Sequence, residues 1–212
     1  MEIAGRIAQW LSTGPHRVGE PGLSEAELCR AEETFELVFP RLLRDALALV
    51  HPVPRPVFPQ PGHHQAPSRV PDWRLRDADR TRTLIGIPAG GVLFDVEEND
   101  FWWNDWGPRP DAIVERIASA ARELARVPLL VPLGGHLYVA AVDDSPVFSI
   151  VQTRVGLYAV SFADLGDDTA RTAALRSAAW PGGTVPFWSE LCAYANHRDT
   201  DSPLGRLGTG GF

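Results

Sequence analysis

Apolar residues recur at helical spacing through the first fifty positions of the chain. Residues 2–11 place their apolar side chains on one face, which predicts a short amphipathic helix. Ser24 and Glu27 have the spacing of a capping box, in which each side chain accepts a hydrogen bond from the other residue's backbone N–H, and they predict the start of a second helix. Pro40 suits the first turn of a third helix. The apolar positions supporting the three helices are Ile3, Ile7, Trp10 and Leu11, then Leu28, Ala31 and Phe35, then Leu42, Leu43, Ala46, Leu47 and Val50.

The pattern changes across residues 91–110, whose sequence is GVLFDVEENDFWWNDWGPRP. Residues 92–96 form a short apolar run with Asp95 inside it, and this run predicts a strand. The polar residues 97–100 that follow predict a turn. A helix with one apolar side is expected over residues 110–126, because its apolar positions return every three or four residues.

Short apolar runs separated by brief polar turns follow this helix. Such short connections favour antiparallel neighbours in a sheet. The predicted strands are Leu129–Leu133, Leu137–Val142, Val147–Val151 and Val155–Phe162. Helices are expected again near residues 169–179 and 187–196. This order of elements predicts an α+β fold, with a mainly antiparallel sheet and helices packed on one face.

Composition predicts three parts along the chain. Residues 1–21 are expected to form an N-terminal amphipathic helix and a linker, residues 22–196 one domain, and residues 197–212 a flexible tail. The segment 52–71 within the domain contains seven prolines, which remove backbone donors and stiffen the chain. This segment therefore predicts a long, partly extended loop.

Charge and composition restrict the classes of partner. The formal net charge is −7, which makes nucleic acid an unfavourable partner and a basic protein a favourable one. All 20 basic residues are arginine, and this excludes lysine-dependent chemistry such as Schiff-base formation. The sequence has no signal peptide and no apolar run near the ~20 residues that span a bilayer, so we expect a cytoplasmic protein without a membrane partner. Cys29 and Cys192 lie far apart and do not suggest a disulfide framework.

Candidate catalytic and metal-binding residues are few, and each has a simpler explanation. His136 follows a glycine pair at a strand entry, but a single histidine there is more often structural or exposed. Asp143 and Asp144 could act as an acid–base pair, although the Ser-Pro that follows favours a turn. His63 and His64 are adjacent and do not converge well on one metal ion. We therefore expect no catalytic residue, no metal site and no cofactor.

The segment between residues 97 and 106 is the strongest candidate for a functional surface. It combines carboxylates with indoles, whose large apolar rings carry an N–H group that needs a polar partner. Such a cluster is expected at half-buried positions, either at the edge of a core or on a recognition surface. The simpler explanation, that the indoles fill the core, is favoured for at least two of the three tryptophans. The candidate partner-binding residues are Glu97, Glu98, Asp100, Trp102, Trp103 and Asp105.

Four passages resemble the SMI1/KNR4 family of the SUKH superfamily, and together they extend from about Gly22 to Leu165. GLSEAELCRAEETFELVFPRLLRDAL is similar to the opening helix pair of the family. PDWR followed by GVLFDVEENDFWWNDWGPRP resembles the LFDVE…FW…WGPRP run of a bacterial branch. PLLVPLGGHLY resembles the strand and turn after the central helix, and SPVFSIVQT with GLYAVSFADL resembles the closing strands. The later PFWSEL segment at residues 186–191 extends the similarity.

The resemblance implies an α+β fold without catalysis. Bacterial members are commonly immunity proteins that bind and neutralise toxins, many of them nucleases. We therefore expect a protein-binding domain that neutralises a cognate, basic toxin. A regulatory scaffold that docks an endogenous protein through the loop at residues 52–71 is the alternative. An enzyme that uses His136 with a nearby carboxylate is a third hypothesis. The family has no catalytic motif to transfer, and the oligomeric state is not predicted.

Overall fold

The computed structural model describes residues 2–14, 16–55, 68–177 and 185–196. The helices are α1 Ile3–Ser12, α2 Glu25–Phe35, α3 Arg41–Leu49, α4 Ala78–Glu98, α5 Ile113–Leu124, α6 Asp168–Ser177 and α7 Trp188–Asn196. The strands are β1 Arg17–Pro21, β2 Val50–Pro54, β3 Leu130–Gly134, β4 Leu137–Ala140, β5 Val147–Val151 and β6 Arg154–Ala159. Short 3₁₀ turns lie at Asn104–Trp106 and Phe162–Asp164.

The strands form two antiparallel sheets, and this confirms the predicted α+β class. β1 pairs with β2, and β3, β4, β5 and β6 pair in sequence order as a four-stranded sheet. Successive side chains of a strand point to opposite faces. Val131 and Val139 lie in a core with helices α1 to α3, whereas Tyr138 and Phe148 lie in a second core with α4, α5 and α7. The helices therefore cover both faces of the larger sheet, where the sequence analysis expected one.

The N-terminal helices follow their sequence signals closely. Ser24 and Glu27 form the predicted capping box at the start of α2. Helix α1 begins and ends within one residue of the predicted range, and its buried side chains pack against α3. β1 pairs with β2, so residues 50–54 are a strand although part of this range was predicted as loop. Residues 56–67, which include the two adjacent histidines, lie outside the described residues, as does the predicted tail at 197–212.

The prediction of a strand at residues 92–96 is wrong, because this run lies in the last third of the 21-residue helix α4. The buried positions of α4 return every three or four residues, which is the spacing of a helix. They are Thr81, Leu84, Pro88, Val92, Asp95 and Val96. Proline and glycine inside the segment GIPAGG conceal this period, because both residues disfavour a helix interior. Asp95 and Glu97, which a strand would place on one face, differ sharply in α4: Asp95 is buried and Glu97 is exposed.

A contact from the sheet compensates for the proline inside α4. Pro88 has no backbone N–H, so the carbonyl oxygen of Leu84 loses its usual helical donor four residues later. The buried hydroxyl of Tyr138 on β4 lies 3.5 Å from this oxygen and donates to it. The bond is long, but an unpaired buried carbonyl would be costly. Burial also raises the pKa of Tyr138 to about 12, so the hydroxyl keeps its proton.

The remaining elements agree with their predictions. The four strands of the larger sheet and the helices α5, α6 and α7 overlap the predicted segments, with ends that differ by a few residues, and residues 178–179 of the helix predicted at 169–179 lie outside the described residues. Asp143 and Asp144 lie in the turn between β4 and β5, where Asp144 has a φ of 57°. Aspartate tolerates this left-handed conformation better than most residues.

Candidate partner-binding surface

The C-terminal end of α4 is fixed to the sheet by a buried carboxylate. Asp95 is 1% exposed, and its Oδ2 atom accepts hydrogen bonds from the backbone N–H of Thr153 at 2.9 Å and from the Thr153 hydroxyl at 2.5 Å. Its other oxygen accepts from the side chain of Asn99 at 2.6 Å. A Cβ at Gly91 would lie 2.8 Å from Cα of Gln152, so only glycine allows the helix to approach this closely. The end of α4 therefore rests on the turn between β5 and β6.

The chain leaves α4 through a turn stabilised by ion pairs. Asp100 adopts a φ of 60°, and the backbone N–H of Phe101 donates a hydrogen bond to the carbonyl of Asp95 at 3.0 Å. The carboxylate of Asp100 pairs with the guanidinium groups of Arg109 and Arg116. Two arginines thus offset the charge of Asp100, and its side chain ties the start of the α4–α5 connection to its end.

The three indoles of this connection are half-buried, so none of them is fully enclosed in the core, although core filling was favoured for at least two of them. They form an aromatic cluster with residues from the C-terminal segment. Trp106 stacks on Phe187 with ring centroids 5.7 Å apart, and Trp103 meets Phe187 and Tyr194 edge-on at 5.7 and 6.1 Å. Trp102 contacts Trp106 at 5.3 Å, and its ring N–H donates to the carbonyl of Gly107 at 2.9 Å. Each indole therefore combines packing in the second core with a partly accessible surface.

The acidic side chains have different environments. Glu97 and Glu98 in the last turn of α4 are exposed, and so is Asp105 in the 3₁₀ turn. No ion pair of these three carboxylates is seen within the described ranges, in contrast to Asp100. The C-terminal end of a helix carries a partial negative charge, and the last turn of α4 contains no basic residue to offset it. The carboxylates of Glu97 and Glu98 therefore add to the negative charge of the helix end, which we call the negative pole of α4.

One exposed aromatic residue beside this pole was not predicted. Phe94 precedes Glu97 and Glu98 by three and four residues, so all three share one side of α4. Its side chain is 47% exposed. The strand prediction concealed this grouping, because alternation in a strand would separate Phe94 from Glu97. The period of the buried positions in α4 is the signal that would have revealed it. We use the name acidic–aromatic surface for Phe94, Glu97, Glu98, Asp100, Trp102, Trp103 and Asp105.

The other candidate residues lie in the turns of the larger sheet. His136 is exposed in the turn between β3 and β4. Asp143 accepts a hydrogen bond from the backbone N–H of Arg41 at 2.7 Å, so it joins the start of α3 to the turn after β4. Asp143 and Asp144 also line an open cleft of about 390 Å³ between α1 and α3. In residues 2–14, 16–55, 68–177 and 185–196, no three His, Cys, Asp or Glu side chains are grouped to hold a metal ion.

Comparison of the chain with protein-family models, with curated proteins and with solved structures found no match. The resemblance to the SMI1/KNR4 family therefore stays a prediction from the quoted passages. None of the helices in the described part of the chain is both long and apolar enough to cross a membrane.

Proposed function

We propose that this chain is a cytoplasmic, non-catalytic protein-binding domain that neutralises a basic toxin, with a nuclease as the expected class. The observation that carries the proposal is the acidic–aromatic surface at the end of α4. Three exposed carboxylates, of Glu97, Glu98 and Asp105, belong to it together with an exposed phenyl ring and half-buried indoles. The resemblance to immunity proteins supports the same function.

Electrostatics favours a basic partner at this surface. A nuclease needs a cationic groove to hold its substrate backbone. Glu97, Glu98 and the negative end of α4 present the complementary potential, which accelerates association and selects against acidic partners. Carboxylates placed in the groove would also occupy the positions that phosphates need. The chain can thus inhibit by occupying the groove, without any chemistry of its own.

The aromatic side chains provide the apolar part of the contact. Phe94 is exposed, and the half-buried Trp103 contacts Tyr194, which is itself 37% exposed. Aromatic residues are common centres of binding energy at interfaces, and their faces also attract Arg and Lys side chains. Phe94→Ala should therefore weaken binding while changing stability little, because nearly half of the side chain is already in water.

The test of the proposal starts with the natural partner. The tagged protein is used to capture binding proteins, and the captured protein is identified by mass spectrometry and purified. The proposal expects a basic nuclease whose cleavage of DNA or RNA stops when one equivalent of this chain is added. A partner that keeps full activity in the saturated complex would contradict neutralisation, and an acidic partner would contradict the electrostatic argument.

Deleting residues 56–67 separates the proposal from the scaffold alternative. Binding through the acidic–aromatic surface does not need this segment, so the deletion should leave affinity for the captured partner unchanged. The scaffold alternative, in which the proline-rich loop is the docking element, expects the affinity to be lost. Circular dichroism of the deletion variant provides the control for folding.

A further inference from the structure

A fully buried histidine joins two parts of the first core. His51 on β2 has no exposed surface. Its Nε2 atom lies 3.1 Å from the backbone N–H nitrogen of Trp73, and its Nδ1 atom lies 3.1 Å from Nη1 of Arg74. Trp73 is a central core residue that meets Phe39 edge-on at 4.9 Å. The ring of His51 therefore links the small sheet to the segment that carries Trp73.

Both neighbours of the imidazole are hydrogen-bond donors. A neutral imidazole always has one nitrogen that can accept, whichever tautomer is present. It can therefore bind the amide of Trp73 at Nε2 or the guanidinium of Arg74 at Nδ1. An imidazolium has two N–H groups and no acceptor. Adding one proton to His51 removes the acceptor and places N–H groups against both donors.

Charged groups surround this ring from three elements. Glu20 on β1 lies 3.7 Å from Nδ1, and Asp72 lies 3.6 Å from Nε2. Both carboxylates already bind arginine, since Arg74 donates to Glu20 at 3.0 Å and Arg76 donates to Asp72 at 3.0 Å. Arg74 also donates to Glu27 of the α2 capping box at 2.8 Å. The two guanidinium groups therefore offset the carboxylates that could otherwise stabilise a cationic ring.

We infer that His51 is an acid-sensitive joint, whose protonation disconnects the Asp72–Arg76 segment from β2 and loosens the packing of Trp73. The joint also reaches α4, because the backbone N–H of Asp72 donates to the buried hydroxyl of Thr81 at 3.0 Å. Loss of the His51 contacts therefore affects three elements: β2, the α2 cap through Arg74, and the start of α4. This inference concerns a region distinct from the acidic–aromatic surface, and it does not depend on the proposed function.

The direction of the pH effect follows from the environment of the ring. Burial lowers the pKa of His51 below its ordinary value, Asp72 and Glu20 oppose this shift, and Arg74 and Arg76 reinforce it. An open state that exposes His51 therefore binds the proton at higher pH than the closed state does. Stability from the joint is complete above about pH 6.5, the ordinary pKa of histidine, and falls as the pH is lowered toward the pKa of the closed state.

Hydrogen exchange of the Trp73 amide, followed by NMR between pH 7.5 and 5.0, tests this inference. After correction for the intrinsic exchange rate, protection should fall by up to about tenfold per pH unit below about 6.5, since one proton is taken up on opening. His51→Gln and His51→Asn place an amide oxygen near Nε2 and Nδ1 respectively, and neither side chain ionises. At least one of them should keep the Trp73 amide protected without this pH dependence.

His136→Gln is the matched control, because His136 is exposed in a turn and its removal should leave the pH dependence unchanged. If both position-51 variants fail to fold, the pKa of the His51 ring in the wild-type protein, measured by NMR titration, still tests the inference. A pKa below 6.5 supports the joint. Titration at or above 6.5 in the folded protein, or a protection slope that persists in the folded position-51 variants, would overturn it.

Discussion

Helices α2 and α4 are specified in opposite ways. Helix α2 begins with a capping box, has acidic residues in its first turn and buries one regular apolar stripe. Helix α4 contains a proline and three glycines, has a weakly defined apolar face and ends with acidic residues against its negative pole. The local sequence of α2 thus favours a helix at its start and along its buried face. Helix α4 is held from outside, by Tyr138 at its centre and by Thr153 at its end.

The difference agrees with the proposed position of the binding surface. Sequences usually agree with their structure at every level, and local violations concentrate at functional sites. The violations in α4 produce two useful features. Gly91 lets the helix lie on the turn between β5 and β6, and the unfavourable Glu97 and Glu98 create the negative pole of the acidic–aromatic surface. The supports of α4 are thus also the supports of the proposed binding surface.

The largest predicted effect comes from removing the hydrogen bonds that fix the end of α4 to Thr153. Asp95→Ala leaves the buried N–H and hydroxyl of Thr153 without an acceptor, so the free energy of unfolding should fall by about 3 kcal/mol. Ser24→Ala, which removes the cap of α2, should cost only about 1 kcal/mol. Urea denaturation of both variants measures the two costs. Equal losses of stability in the two variants would contradict the claim that α4 depends more on its contact with Thr153 than α2 depends on its cap.

Asp95→Asn sharpens this result, because the amide oxygen can still accept one hydrogen bond from Thr153. Its cost should lie between that of Ala and zero.

A smaller effect concerns the proline inside α4. Tyr138→Phe removes the donor to the Leu84 carbonyl and should cost about 1 kcal/mol, the net contribution of a typical hydrogen bond. Pro88→Ala restores a backbone N–H that can bind the same carbonyl. In that background Tyr138→Phe should therefore cost clearly less. A double-mutant cycle by denaturation measures the coupling, and strictly additive costs would mean that the hydroxyl does not substitute for the missing helical donor.

The smallest effects should have the opposite sign. Glu97→Gln and Glu98→Gln remove negative charge from the negative end of α4, so each should raise the free energy of unfolding by about 0.3–1 kcal/mol at low salt. The gain should shrink in high salt, which screens the interaction. Glu25→Gln in the first turn of α2 should be destabilising instead, because it removes a favourable helix-end charge and the ion pair with Arg44. Loss of stability in the α4 variants would contradict the account of the negative pole.

The fold was predictable from sequence wherever local signals were sufficient. The Ser24–Glu27 capping box and the short turns between strands determine their own structure, so α2 and the antiparallel sheet were predicted correctly. Helix α4 was not predicted, because Tyr138 and Thr153, which stabilise it, are distant in sequence. The exposed positions of Glu97, Glu98 and Asp105 agree with the expected solvated carboxylates, whereas the burial of Asp95 and the exposure of Phe94 became visible only once the helical period was known. Likewise, the arginines that pair with Asp100 follow from the path of the chain rather than from any motif.

The central claim is that the acidic–aromatic surface receives a basic partner, and association rates test it most directly. Glu97→Arg with Glu98→Arg is compared with Glu33→Arg and Glu36→Arg, two exposed residues at the end of α2. Each pair changes the formal net charge by four, from −7 to −3. Stopped-flow association with the captured toxin should slow by about tenfold or more for the α4 pair and change little for the α2 pair. Equal slowing by both pairs would show that net charge alone steers the partner, and unchanged rates in the α4 pair would place the binding site elsewhere.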